Sequence, residues 1–166
     1  PGKTTMPYEN YREKYLRYQR RVRWNEVFVH FGITSRKKSV LEISKELELA
    51  PSYFTNKGDK IAELDLVSDC TIWTLTTERF VNSQDVNDHL DKLAEKLFGR
   101  SPALRRFQAA GLEMEIVIAQ YIWTDSYSLS PKPQTLEFFS RYGIRLKFYQ
   151  SHYSGNPDEH SVFRKP

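Results

Sequence analysis

The side chains of this chain with most chemistry to offer are four histidines, one cysteine and three tryptophans. His30, His89, His152 and His160 are scattered, and no two show the H-x-x-x-H spacing that sets two imidazoles on one helix face for a metal ion. They read as structural or surface histidines. Cys70 follows Asp69 and has no cationic neighbour in sequence, so nothing local lowers its thiol pKa; a small buried hydrophobe is the better reading. A lone cysteine also rules out an intrachain disulfide and a thiolate-rich metal site. Gly58-Asp59 belongs to no phosphate loop, because neither G-x-x-x-x-G-K-S/T nor G-x-G-x-x-G occurs, and a tight turn accounts for it. Glu42, Glu46 and Glu48, like Asp85, Asp88 and Asp91, fall on helix faces where carboxylates normally meet water. No catalytic residue, metal ligand or cofactor is assigned.

Two groups remain as candidates for binding. The first is aromatic: Trp73, Trp123 and Tyr149, with His30, can line a pocket or patch. Trp73 and Trp123 fall on strand faces opposite Ile72 and Ile122, so they are core if both faces of the sheet are covered and an aromatic patch if one is open. His30 and His152 meet only if their strands are neighbours. The second group is cationic. Residues 1–24 hold seven Lys/Arg against Glu9 and Glu13, a net +5, which leaves the other 142 residues at −1 of the chain's +4. Any argument from basicity to an anionic partner therefore concerns this arm alone. Tyr11, Arg12, Tyr15, Arg17, Tyr18, Arg20, Arg21 and Arg23 are its candidate partner-binding residues. Three uses are open: the tyrosines dock the arm on its own domain while the arginines stay wet, or the arm binds a protein, or it binds nucleic acid.

The elements that must position these residues follow from periodicity. Tyr8, Tyr11, Tyr15, Tyr18 and Val22 recur every three or four residues, which predicts an amphipathic helix with a tyrosine stripe. Val27–Ile33 alternates as a half-buried strand does. Ser39 with Glu42 reads as a capping box opening a helix that Pro51 ends. Cys70–Thr77 is β-branched and aromatic, hence a strand, and Lys60–Val67 can add an edge strand before it. A helix from about Ser83 to Gly99 carries Val86, Leu90, Leu93 and Leu97 inward, and Pro102 opens a shorter one ending at Gly111. Glu113–Trp123 alternates, Pro133–Tyr142 is helical, and Ile144–Gln150 alternates again.

The two strand–helix–strand units, 27–77 and 113–150, look like a degenerate duplication. The expected fold class is α+β: a two-layer sandwich whose mostly antiparallel sheet carries ferredoxin-like elements, with helices packed on it and a basic N-terminal helix. The expected organisation is an arm (1–24), one domain (25–153) and a polar tail (154–166). No apolar run approaches the ~20 residues that cross a bilayer, and no signal peptide opens the chain. A cytoplasmic protein without membrane contact is expected.

An ordered series of short motifs adds a resemblance. Leu47-Glu48-Leu49-Ala50-Pro51, then Lys57-Gly58-Asp59, Trp73 within Thr71–Leu75, Val86-Asn87-Asp88-His89-Leu90, Tyr127–Pro131 and Phe138–Ile144 together resemble a bacterial family of unknown function, the one numbered forty-two seventy-nine. It covers roughly residues 27–152 and leaves out the arm. The resemblance implies a small bacterial α+β protein with no assigned reaction. The leading expectation is a non-enzymatic module that binds a protein partner, in its concrete form an immunity-type protein neutralising a toxin or effector. The alternatives are nucleic-acid binding through the arm, and a small-molecule site or enzyme lined by the aromatic group. Homodimerisation through an edge strand or the arm is also open.

Overall fold

The structure, a computed structural model, describes residues 27–61, 66–122 and 129–152. The basic arm of residues 1–24, Trp123 and the tail of 154–166 lie outside the described residues.

Val27–Ser35 (β1) is long, alternating and free of Pro, and its one glycine, Gly32, sits within an otherwise side-chain-rich run. Such a strand can take a neighbour on each side, and it forms the centre of the sheet. The remaining strands are Tyr53–Thr55 (β2), Lys60–Ile61 (β3), Leu66–Val67 (β4), Thr71–Thr76 (β5), Glu113–Ile122 (β6) and Arg145–His152 (β7). Five of them pair in the order β2-β5-β1-β6-β7, while β3 and β4 make a separate two-stranded hairpin. β1 runs antiparallel to both β5 and β6, β2 runs antiparallel to β5, and β6 and β7 are parallel.

Four helices connect them: Val40–Leu47 (α1), Val86–Phe98 (α2), Ser101–Ala109 (α3) and Pro133–Arg141 (α4). The capping box forms as the sequence predicts, with the Ser39 side chain accepting from the Glu42 amide and the Glu42 carboxylate accepting from the Ser39 amide. Asp85 caps α2 by accepting from the Asn87 amide, so that helix begins at Val86 rather than near Ser83.

All four helices contribute to one apolar cluster with a single face of the sheet, here called face one. Val29, Phe31 and Ile33 of β1, Trp73 and Leu75 of β5, and Met114, Ile116 and Ile118 of β6 meet Ile43 and Leu47 of α1, Leu90, Leu93 and Leu97 of α2, Leu104 and Phe107 of α3, and Phe138 and Phe139 of α4. This is the α+β architecture expected, mostly antiparallel, with helices layered on the sheet.

Two expectations are corrected. The strand–helix–strand units are not equivalent. In the first, α1 carries the chain from β1 to β2, two places away, and β5 returns into the gap, antiparallel to both. In the second, α4 joins the adjacent parallel strands β6 and β7. In both units the helix is a crossover between parallel strands, β1 to β2 and β6 to β7, and the first unit then adds β5 between its pair. The edge strand is accordingly Tyr53–Thr55. The segment expected there supplies instead the two ends of the β3–β4 hairpin.

Candidate functional site

Along β1 the second set of alternating residues (Phe28, His30, Gly32, Thr34) faces away from the helices. Cα pairing extends these positions into rows across the sheet. Gly32 lies opposite Thr74 on one side and Glu115 on the other; His30 lies opposite Thr76 and Val117; Phe28 lies opposite Ala119. Tyr53 extends the Gly32 row through Thr74, and Arg145, Lys147 and Tyr149 extend the rows into β7. Face two thus mixes apolar, hydroxyl, imidazole and charged groups.

It is also buried. Phe28, Ile72 and Val117 are 5%, 3% and 3% exposed, yet none belongs to the helix-packed cluster. His30, Thr74, Thr76 and Glu115 are buried with them. No described helix lies on this face. Burial disfavours the charged imidazolium and pushes the His30 pKa down to about 4. Glu115 is held by its neighbours on β7, with one oxygen 2.6 Å from Lys147 Nζ and 3.7 Å from an Arg145 guanidinium nitrogen. Arg145 also reaches Glu113 at 2.8 Å, so the β6–β7 half of the face is a charge-compensated ladder.

The aromatic candidates divide between the two faces. Trp73 is on face one and fully buried, edge-on to Phe31 at 6.2 Å, and its indole Nε1 donates to Ser44 Oγ at 2.9 Å. Its register partner Ile33 shares that face. His30 and Tyr149 are on face two, so Trp73 shares no pocket with them. The strands of His30 and His152 are not neighbours, because β6 separates β1 from β7. Trp123 and the arm candidates Tyr11, Arg12, Tyr15, Arg17, Tyr18, Arg20, Arg21 and Arg23 lie outside the described residues. Cys70 is buried, and burial, aided by Asp69, pushes its thiol up to about 11, the state of an unreactive cysteine. His89 is structural: Nδ1 sits 2.6 Å from Thr77 Oγ1 and Nε2 2.8 Å from the Ser83 carbonyl. Among the described residues no group of three His, Cys, Asp or Glu side chains is placed to hold a metal ion, and no helix is long and apolar enough to cross a membrane.

A third feature carries no signal in the residue pattern. Phe54 on the edge strand β2 is 57% exposed, and Val67 and Leu66 on the β3–β4 hairpin are 65% and 47% exposed. One ribbon carries them. It runs from β2 through the Asn56–Asp59 turn, where Asp59 accepts from the Asn56 amide at 2.6 Å, into a hairpin closed by Gly58 N donating to the Ser68 carbonyl. Gly58 takes a positive φ of 91°, which the turn requires. The α1 start is tied to this ribbon by Val40 N and Asn56 Oδ1, and Leu41, 77% exposed, lies beside that tie. The run Tyr53-Phe54-Thr55 does have the aromatic and β-branched composition of a strand, but three residues are too few for alternation to register. A second apolar feature, a groove of about 420 Å³, lies between α2 and α4 and is lined by Phe98, Phe138, Thr135 and Arg141 among others.

No curated protein and no solved structure matches the chain. A family model described as domain of unknown function (DUF4279) matches residues 25–153, and the chain belongs to that family.

Proposed function

We propose that this DUF4279 protein is a bacterial, non-enzymatic binding module that docks a protein partner along the β2 edge and the ribbon beyond it. The observation that carries the reading is the exposure of Phe54, Leu66 and Val67 beside a strand that has a described neighbour on one side only. Large apolar side chains set in solvent at an edge are the anchors of an interface, and an edge without Lys, Pro or a bulge on its own three residues offers backbone groups for pairing. The other edge also exposes one aromatic, Phe148, but there Arg145 and Lys147 guard the strand with charge. In its concrete form the module is of the immunity type, and the partner is a toxin or effector made by the same cell.

Affinity capture from the native host, followed by size-exclusion of the complex and repeated with Phe54→Asp, tests this. A stoichiometric protein partner that the variant loses is the expected result. A wild-type protein that emerges with no stoichiometric partner, or a partner indifferent to Phe54→Asp, overturns the reading.

A further inference from the structure

Face two is buried, and no described helix buries it. Phe28, Ile72 and Val117, on three strands and in three different rows of it, are at most 5% exposed, and Thr74, Thr76 and His30 in the rows between are buried too. A cover for such a face needs apolar bodies with hydroxyl or amide tips. Its partners there are hydrocarbon side chains spread along the face, with two hydroxyls and an imidazole between them.

We propose that residues 8–22 form that cover, lying as a helix across face two with Tyr8, Tyr11, Tyr15, Tyr18 and Val22 against it. The stripe has the right chemistry, since four of its five side chains are tyrosines that can fill apolar volume and still reach a polar group with the phenol oxygen. It has the right size as well. Fifteen helical residues are about 22 Å long, and a five-stranded sheet is about 19 Å from edge to edge. The segment runs into β1, the strand at the middle of that face, through residues 23–26. Four residues reach roughly 13 Å, enough to climb the ~10 Å between stacked layers and reverse direction. The tail of 154–166 fits poorly, with only Val162 and Phe163 as large apolar side chains and no helical stripe.

At 100° per residue the docked helix turns Arg17 and Arg20 away from the sheet, with Arg12 and Arg21 on its flanks. Docking therefore gives the charge of the arm a fixed place: a cationic ridge over the face opposite α1–α4. This goes beyond the partner edge at β2 and stands or falls separately from it.

Photo-crosslinking of the full chain decides the matter, with p-benzoylphenylalanine placed at position 15 and the adducts sequenced. The expected adducts are within one chain, at Phe28, Ile72, Val117 or their face-two neighbours. Adducts on α1–α4, adducts between two chains, or none at all would overturn the proposal. Truncation gives a second reading. Removing 1–24 is expected to raise the fluorescence of an added apolar dye several-fold, and removing 154–166 to leave it unchanged. The reverse pattern assigns the cover to the tail and sinks the proposal.

Discussion

At His89 the two ring nitrogens meet partners that are not interchangeable. The Ser83 carbonyl can only accept, so Nε2 carries a proton toward it, while Nδ1 faces the Thr77 hydroxyl, whose single proton goes to the Val29 carbonyl. The same hydroxyl lies 2.8 Å from the Val29 carbonyl, so one side chain ties the loop before α2 to the central strand. His89→Ala removes both bonds and opens a void at a site 2% exposed. A loss of about 2–4 kcal/mol in urea unfolding is expected, as for other buried truncations that also strand a polar group. His30 makes a different prediction. Its folded pKa is about 4, below the ordinary 6.5, so between those values the unfolded chain binds the extra proton. The stability tied to His30 is complete above pH 6.5 and lost as pH falls toward 4. The shift corresponds to about 3 kcal/mol at most. His30→Leu should flatten the pH dependence between 6.5 and 4, and a slope that survives the substitution refutes the assignment. Glu42 and Glu46, held below their ordinary values by Ser39 and by Lys38, act at lower pH and remain in the variant. That His30 sits opposite Val29 and Phe31 was legible in the alternation. Its burial was not, because nothing in a single strand says what lies over it.

Individual elements were legible where their signals were local. The capping box at Ser39 and Glu42 needs only four residues, and Ser39→Ala should cost roughly 1 kcal/mol, read as a drop in the unfolding midpoint at constant m-value. At the other end of α1 the sequence offers no glycine, and Glu48 itself takes the left-handed position with φ 54°. An exposed residue with a Cβ is strained there. Glu48→Gly is therefore expected to stabilise the protein by roughly 0.5–1 kcal/mol, a test that needs only paired unfolding curves. Pairing was another matter. The strands of 113–123 and 144–150 showed in their alternation, but that they run parallel depends on α4 crossing between them, and that β5 slots between β1 and β2 depends on three residues of β2. Both are properties of contacts distant in sequence, which local patterning does not encode.

Across the whole molecule the sheet separates two kinds of chemistry. Face one is a helix-packed apolar core, and Trp73 belongs wholly to it; face two holds the mixed set around His30 and Glu115. Among the exposed apolar side chains, Phe54, Leu66 and Val67 gather on the β2 ribbon and Phe98 lies at the α2–α4 groove, while Phe148 stands singly on the β7 edge. The ribbon and the groove are not equal as docking sites. Phe98 packs its ring against Phe138 at 6.2 Å, and the groove is rimmed by the Arg141–Glu137 and Lys92–Glu95 ion pairs, which a partner would have to desolvate. Phe54 and Val67 stand out from the ribbon itself, and an edge strand adjoins it. Phe54→Lys combined with Val67→Lys should therefore weaken partner binding by 10- to 100-fold or more, about 1.4–3 kcal/mol, measured by calorimetry on the purified pair. Both side chains are more than half exposed, so the unfolding free energy should move by no more than about 0.5 kcal/mol. Phe98→Lys, charged and exposed in the same way, should leave the affinity within a factor of two or three. If the loss follows Phe98 instead, the partner seats in the α2–α4 groove and the edge strand is only a boundary of the fold.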